Sequence, residues 1–232
     1  MRNRIVCIFL SCAVLGACKK SSKDKPNPLG STYPVALNAI ITPTILAALQ
    51  SHGATVHDGL TPPVINGIYL LSPNYCVFDN SGDNAAGTVF NPYKLRFANQ
   101  NNGTHTISFD YKSVLDATDY GADNSATYIT GTGNAFTVFA QSTGVETGIS
   151  NVLLDVISGT VQNGNVQNLQ LSLYLVSKGA DPAGLIEAVG STRIFNDQDE
   201  VSETQSTFSF VKQTALHTTG NHRSVLSQSN DR

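Results

Sequence analysis

The chain has 232 residues, with 14 Lys and Arg against 17 Asp and Glu. Six of the basic residues and one acid fall within residues 1–25, so the chain from residue 26 onward holds eight basic and sixteen acidic residues, a net charge of −8. A body this acidic excludes nucleic acid as a partner, because that binding depends on Lys and Arg neutralising phosphate.

The first segment has the layout of an export signal: Arg2 and Arg4, an apolar run from Ile5 to Leu15, then small residues at Gly16 and Ala17 before Cys18. The apolar run is far shorter than the roughly 20 residues that span a bilayer. Leu15-Gly16-Ala17-Cys18 resembles the lipobox of bacterial lipoproteins. The resemblance implies cleavage before Cys18, a lipid on its sulfur and an acyl chain such as palmitate on the new amine. Two or more chains hold a soluble domain at a membrane stably, since each buried CH₂ contributes about 0.8 kcal/mol. Lys19 stands where Asp would retain such a protein in the inner membrane, which points to the outer membrane of the cell envelope.

Four segments follow from this reading: signal peptide 1–17, lipidated flexible tether 18–32, one β-rich domain 33–211 and a disordered tail 212–232. The tether is rich in Lys, Ser and Pro and has too little apolar area to offset its ordering entropy. Cys7 and Cys12 leave with the signal and Cys18 is lipidated, so Cys76 stands alone in the domain and no internal disulfide forms. Its setting, Tyr75-Cys76-Val77-Phe78, is apolar and strand-like, which predicts a buried, inert thiol.

One short helix is marked at both ends. Thr42 suits the N-cap, Pro43 the first helical position and Gly53 the left-handed position after the last turn. Ile45, Leu46, Leu49 and His52 recur at helical spacing, so one face closes over something apolar.

From Val64 the pattern changes to period two. Strands are predicted over 64–71, 75–79, 93–99, 106–112, 126–131, 135–141, 151–160, 166–177, 191–195 and 207–211, bounded by Gly, Asn, Asp and Pro. Tyr93, Leu95 and Phe97 oppose Lys94 and Arg96, and Leu169, Leu171, Leu173 and Leu175 oppose Gln170, Ser172 and Tyr174. One-sided strands of this kind build antiparallel sheets. Asn163-Gly164 suits a type I′ hairpin between two of the longest strands. With no helix between strands, the expected fold is all-β: an antiparallel up-and-down meander closed into a barrel, with a two-sheet sandwich as the alternative.

A short helix, then Gly67-Ile68-Tyr69 opening the first long strand, then a run of hairpins resembles the lipocalin-like (calycin) barrels. In that family a Gly-x-Trp motif opens the first strand and a basic residue from the last strand packs across the Trp. The resemblance implies that Tyr69, in the Trp position, and Arg193 form a structural barrel-closing pair.

Catalytic patterns are missing: there is no Gly-x-Ser-x-Gly elbow, P-loop, His-Glu-x-x-His or Cys-x-x-Cys. His57-Asp58 reads as an exposed loop pair, and Asp197-x-Asp199-Glu200 as a solvated acidic turn, although its oxygens would suit a hard cation. The chain is therefore expected to be a monomeric, membrane-anchored bacterial lipoprotein and not an enzyme, with no cofactor. Its expected partners are the membrane, through the lipid on Cys18, and an apolar or amphipathic small molecule inside the barrel. The alternative is a cell-envelope interaction lipoprotein that contacts glycan or protein through its loops.

Overall fold

The computed structural model describes residues 26–121 and 126–208. Cys18, its lipobox and the predicted tail lie outside the described residues. A 3₁₀ turn, Val35–Ala39, precedes α1 (Pro43–Ser51). The strands are β1 (Leu60–Thr61), β2 (Gly67–Leu71), β3 (Asn74–Asp79), β4 (Val89–Phe90), β5 (Tyr93–Asn101), β6 (Thr106–Ser113) and β7 (Tyr120–Gly121), then β8 (Ala126–Thr132), β9 (Ala135–Glu146), β10 (Ile149–Gln162), β11 (Asn165–Lys178), β12 (Thr192–Asp197) and β13 (Val201–Ser202).

They form one sheet, almost wholly antiparallel, curled into a half-barrel, in the order β2-β5-β6-β8-β9-β10-β11-β12-β3-β4. From β5 to β12 this is the expected meander. Asn163 and Gly164 both have positive φ, 52° and 83°, and join β10 to β11 with Gln162 opposite Asn165.

β2 and β3 depart from the simple meander. They lie far apart in the order of pairing, yet only Ser72-Pro73 separates them in the chain, so the end of β2 and the start of β3 lie within about 11 Å of each other. They are two halves of one kinked strand: the first half pairs with β5, the second with β12 and β4. Residues 203–205 cover the other edge of β2, with Leu70 N donating to Glu203 O (3.1 Å) and Gln205 N to Ile68 O (2.7 Å). The preceding residues, Val201 and Ser202, pair with Gln167 and Val166 of β11. Sequence reasoning missed this closing segment. It predicted instead a strand over 207–211, where Thr207 and Phe208 are not in a strand and the remainder lies outside the described residues.

The inward face is filled. Phe97 of β5 stacks on Phe109 of β6 at 5.4 Å, and it meets Phe136 of β9 edge-on at 6.2 Å. β5 and β9 are not neighbours in the sheet, so these rings touch across the interior. Leu71, Leu95, Val138, Ile157 and the Leu169-Leu171-Leu173 stripe complete this core.

A second core lies on the outer face of β9, β10 and β12. There Phe139, Leu154, Val156 and Ile194 are covered by Leu37, Ile41, Leu46 and Leu49 of the N-terminal segment. α1 is capped as its residues predict: Thr42 Oγ1 accepts from Ile45 N at 3.2 Å, and Gly53 takes φ 97°. This cover corrects two expectations. Gln170 and Ser172 are buried although they oppose the Leu stripe, and Gln170 Oε1 accepts Thr55 N at 2.6 Å. Residues 27–32, assigned to the tether, are folded onto the domain: Leu29 is buried, and Asn27 Nδ2 donates to Tyr33 O at 2.7 Å.

Candidate functional site

Because neighbouring strands alternate in direction, the connections sort into two ends. The segments 80–88, 114–119, 147–148 and 179–191 leave the strands at one end, the loop end, and the tight connections 102–105, 133–134, 163–164 and 198–200 at the other, the turn end.

Exposed large apolar side chains fall into two groups: Val35 (74%), Leu60 and Val64 (68%) lie on the N-terminal segment and its run into β2, and most of the others lie on or beside the loop-end connections. Leu115 (73%), Leu185 and Val189 (both 56%) stand out at the loop end, with Val114, Tyr120 and Val145. Scattered single exposures need no explanation, and the six that share one end make that end the candidate contact surface.

A buried ion pair anchors this end. Arg193 on β12 and Asp79 on β3 sit opposite each other in the ladder, and Arg193 Nε donates to Asp79 Oδ2 at 2.8 Å with both side chains almost fully buried. Burial alone would raise the Asp79 carboxyl. Hydrogen bonds from Ser81 and Asn84, together with the Arg193 charge, outweigh it and hold the group below the usual carboxylate range. The same cluster fastens two loops. Asn80 Nδ2 donates to Gly190 O, Thr192 N donates to Asn80 Oδ1 at 2.7 Å, and Glu187 of the 179–191 loop meets Asp83 of the 80–88 loop. Burial, then the hydrogen bond and charge of Asp83, push Glu187 up to about 7 against the pull of Arg193.

The guanidinium of Arg193 lies over the Phe90 ring at 5.9 Å, not over Tyr69. Tyr69 packs inside the barrel with its ring 6.1 Å from Phe97. The two residues read from the sequence as a pair are therefore not brought together: Arg193 is opposite Asp79, ten positions along the kinked strand from Tyr69. The acidic partner was hard to find in sequence, because nothing local links positions 114 residues apart.

The other candidates are structural. Cys76 is fully buried, its Sγ is bonded to Phe78 O at 3.3 Å, and burial raises the thiol. The His52 ring stacks on Phe78 at 4.6 Å. The backbone of His57 is fixed by Thr137 and Thr130, and burial lowers its imidazole. Asp197 is not solvated as expected. It is buried, accepts Ser202 Oγ and is pushed up to about 7 by burial and by Asp199. Among the described residues no three His, Cys, Asp or Glu side chains are grouped to hold a metal ion.

The class that fold and site define is a β half-barrel with a filled interior and an apolar-tipped loop end. Compared with known proteins, the chain matches no family model, no curated protein and no solved structure.

Proposed function

We propose that this protein is a lipid-anchored component of the bacterial cell envelope that works as an interaction module through the loop end of its barrel. The observation that carries the reading is the set of exposed apolar side chains on that end, Val114, Leu115, Tyr120, Val145, Leu185 and Val189, above an interior already filled by its own aromatic rings. An apolar small molecule inside the barrel would have to displace the Phe97, Phe109 and Phe136 contacts, which stabilise the fold itself.

Geometry also supports a display role. Thr32 O accepts Gly59 N at 3.0 Å, and Gly59 O accepts Gly131 N at 3.1 Å, next to the 133–134 turn. With Asn27 bonded to Tyr33, the chain arriving from Cys18 joins the domain near the turn end. A lipid on Cys18 then leaves the loop end directed away from the anchoring membrane.

The test is maleimide labelling of Leu115→Cys and Leu185→Cys in intact cells and in the purified protein, with Asn102→Cys at the turn end as reference. Protection in cells confined to the two loop-end positions is expected. Equal labelling of all three in both settings would refute the reading.

A further inference from the structure

We infer that the N-terminal face of the domain lies against the bilayer that holds Cys18, an inference that rests on the lipid-anchor reading above. Residues 26–66 carry one formal charge, Asp58, in 41 residues, whereas the 142 residues of 67–208 carry five basic and fourteen acidic side chains. Of the two histidines in this segment, His52 is stacked on Phe78 and His57 has its imidazole lowered by burial. The same segment exposes Val35, Leu60 and Val64, with Ala36 and Ala39 exposed beside Val35. Hydrogen bonds gather these tips. Gly59 N donates to Thr32 O at 3.0 Å, which keeps Val35 and Leu60 within about 20 Å of each other. Gln100 Nε2 donates to Pro63 O at 2.7 Å and Asn102 Nδ2 to Pro62 O at 3.0 Å, which fixes the run toward Val64 at the turn end.

Where the chain leaves this face decides what covers it. Asn27 Nδ2 donates to Tyr33 O and Asn27 Oδ1 accepts from Asn38 Nδ2, both at 2.7 Å, so the chain departs toward Cys18 from this segment. Nine residues lead from Asn27 back to Cys18 and reach at most about 32 Å, less than the roughly 40 Å width of a domain of this size. The opposite end therefore cannot turn toward the same bilayer, and lipid is held at high effective concentration beside the N-terminal face, so a few side chains suffice. Lys19, Lys20, Lys23 and Lys25 fall within those nine residues and suit anionic headgroups. The near absence of charge on 26–66 keeps the cost of removing water from the contact low. Asp199 and Glu200, the acids of the 198–200 turn, belong to the connection between β12 and β13 and restrict the contact to the tips of this segment. The contact is shallow, at the hydrated level of the headgroups, so a small maleimide still reaches Asn102→Cys.

The experiment uses the lipidated full chain in vesicles of phosphatidylcholine and phosphatidylethanolamine. Val35→Cys, Val64→Cys and, as reference, Leu115→Cys each carry a nitrobenzoxadiazole label, since Cys18 is acylated and Cys76 is buried. Lipid spin-labelled near its headgroup should quench the labels at 35 and 64 several-fold more than the label at 115. In the Leu60→Glu/Val64→Glu double variant, quenching at 35 should fall several-fold while the acyl chains keep the protein on the vesicles, with thermal unfolding as the check on folding. Equal quenching at all three positions, or none at 35 and 64 while the protein stays on the vesicles, would overturn the inference. So would shielding at 64 that vanishes in nanodiscs holding one copy each, which would assign the face to a second copy of the chain. No quenching at 35 and 64, combined with protection of Leu115→Cys in cells, would refute the seating and leave the loop-end surface standing. Quenching there, combined with equal labelling of Leu115→Cys in cells and in the purified protein, would refute the loop-end surface and leave the seating standing. A chain without acyl mass on Cys18 would refute both.

Discussion

The two ends of this barrel solve opposite problems with the same strands. Toward the turn end the inward positions of β2, β5, β6 and β9 carry Tyr69, Phe97, Phe109 and Phe136, which fill the cross-section and leave no edge unpaired where residues 203–205 cover β2. Toward the loop end the interior gives way to a charged cluster around Arg193 and the apolar residues move outward onto the connections. Stability is thus concentrated in the region with short turns, while the region with long loops is free to vary in what it touches.

The largest effect should come from Phe97→Ala, which removes a ring in contact with Tyr69, Phe109 and Phe136. Chemical denaturation should show a loss of about 3–5 kcal/mol, since the rigid surroundings cannot collapse into the space. A loss under 1 kcal/mol would mean that the interior is not tightly filled.

Asp79→Ala tests the charged counterpart. It leaves Arg193 buried without its carboxylate, and the expected cost is about 3 kcal/mol. Replacing Asp79 and Arg193 together by Leu and Met should recover most of that loss in the same denaturation assay, because neither buried charge of the pair then remains, while Asp83, the other acid beside Arg193, is exposed. Failure of the double change to recover stability would give the pair a role beyond mutual compensation.

The pH dependence divides the ends further. Glu187 at the loop end and Asp197 at the turn end keep their protons to about 7, against ordinary values of 4.5 and 3.8. A raised carboxyl means that the folded chain binds more protons than the unfolded chain between those limits. Stability must therefore fall as pH rises from about 4 to about 7 and stay level above. Asp79 has the opposite sign, held low in the fold, so its contribution is lost as pH falls below the ordinary carboxylate range. Unfolding free energy should peak near pH 4, where the gain from Asp79 is complete and the loss from Glu187 and Asp197 begins, and be about 1–3 kcal/mol lower at pH 8. Asp197→Asn should flatten the alkaline side and Glu187→Gln should flatten it less, since Glu187 is the more exposed of the two. A stability curve that rises toward pH 8 would contradict both assignments.

The smallest effect is predicted at the loop tips. Leu115→Ser and Leu185→Ser should change stability by under about 0.5 kcal/mol, because both side chains are already in water. Destabilisation beyond about 1 kcal/mol would show that the tips pack on the domain and do not await a partner.

Much of this fold was legible in residue order. The period-two runs located the main strands, Thr42-Pro43 and Gly53 bracketed the helix, and Asn163-Gly164 marked its hairpin, because each of these signals is local. What was not legible depends on distant partners. The kink that sends β3 to pair with β12 looks like an ordinary break at Ser72-Pro73. Residues 201–205 are too short and polar to announce a closing strand. The inward turn of Asp197 follows from Ser202 and the closing segment, not from its acidic neighbours. The two ends were within reach, since alternating strand direction alone assigns each connection to one of them. Adding up the apolar and acidic residues of every second connection would have drawn attention to the loop end.

The central claim, that the barrel is filled by its own side chains and acts through its surface, meets its most direct test in native mass spectrometry. The full chain would be purified from the envelope and measured before and after mild organic extraction. The account predicts a chain beginning at Cys18 that carries covalent acyl mass and is otherwise unchanged by extraction. A discrete further mass lost on extraction would reveal an apolar molecule held within the domain and would contradict the account.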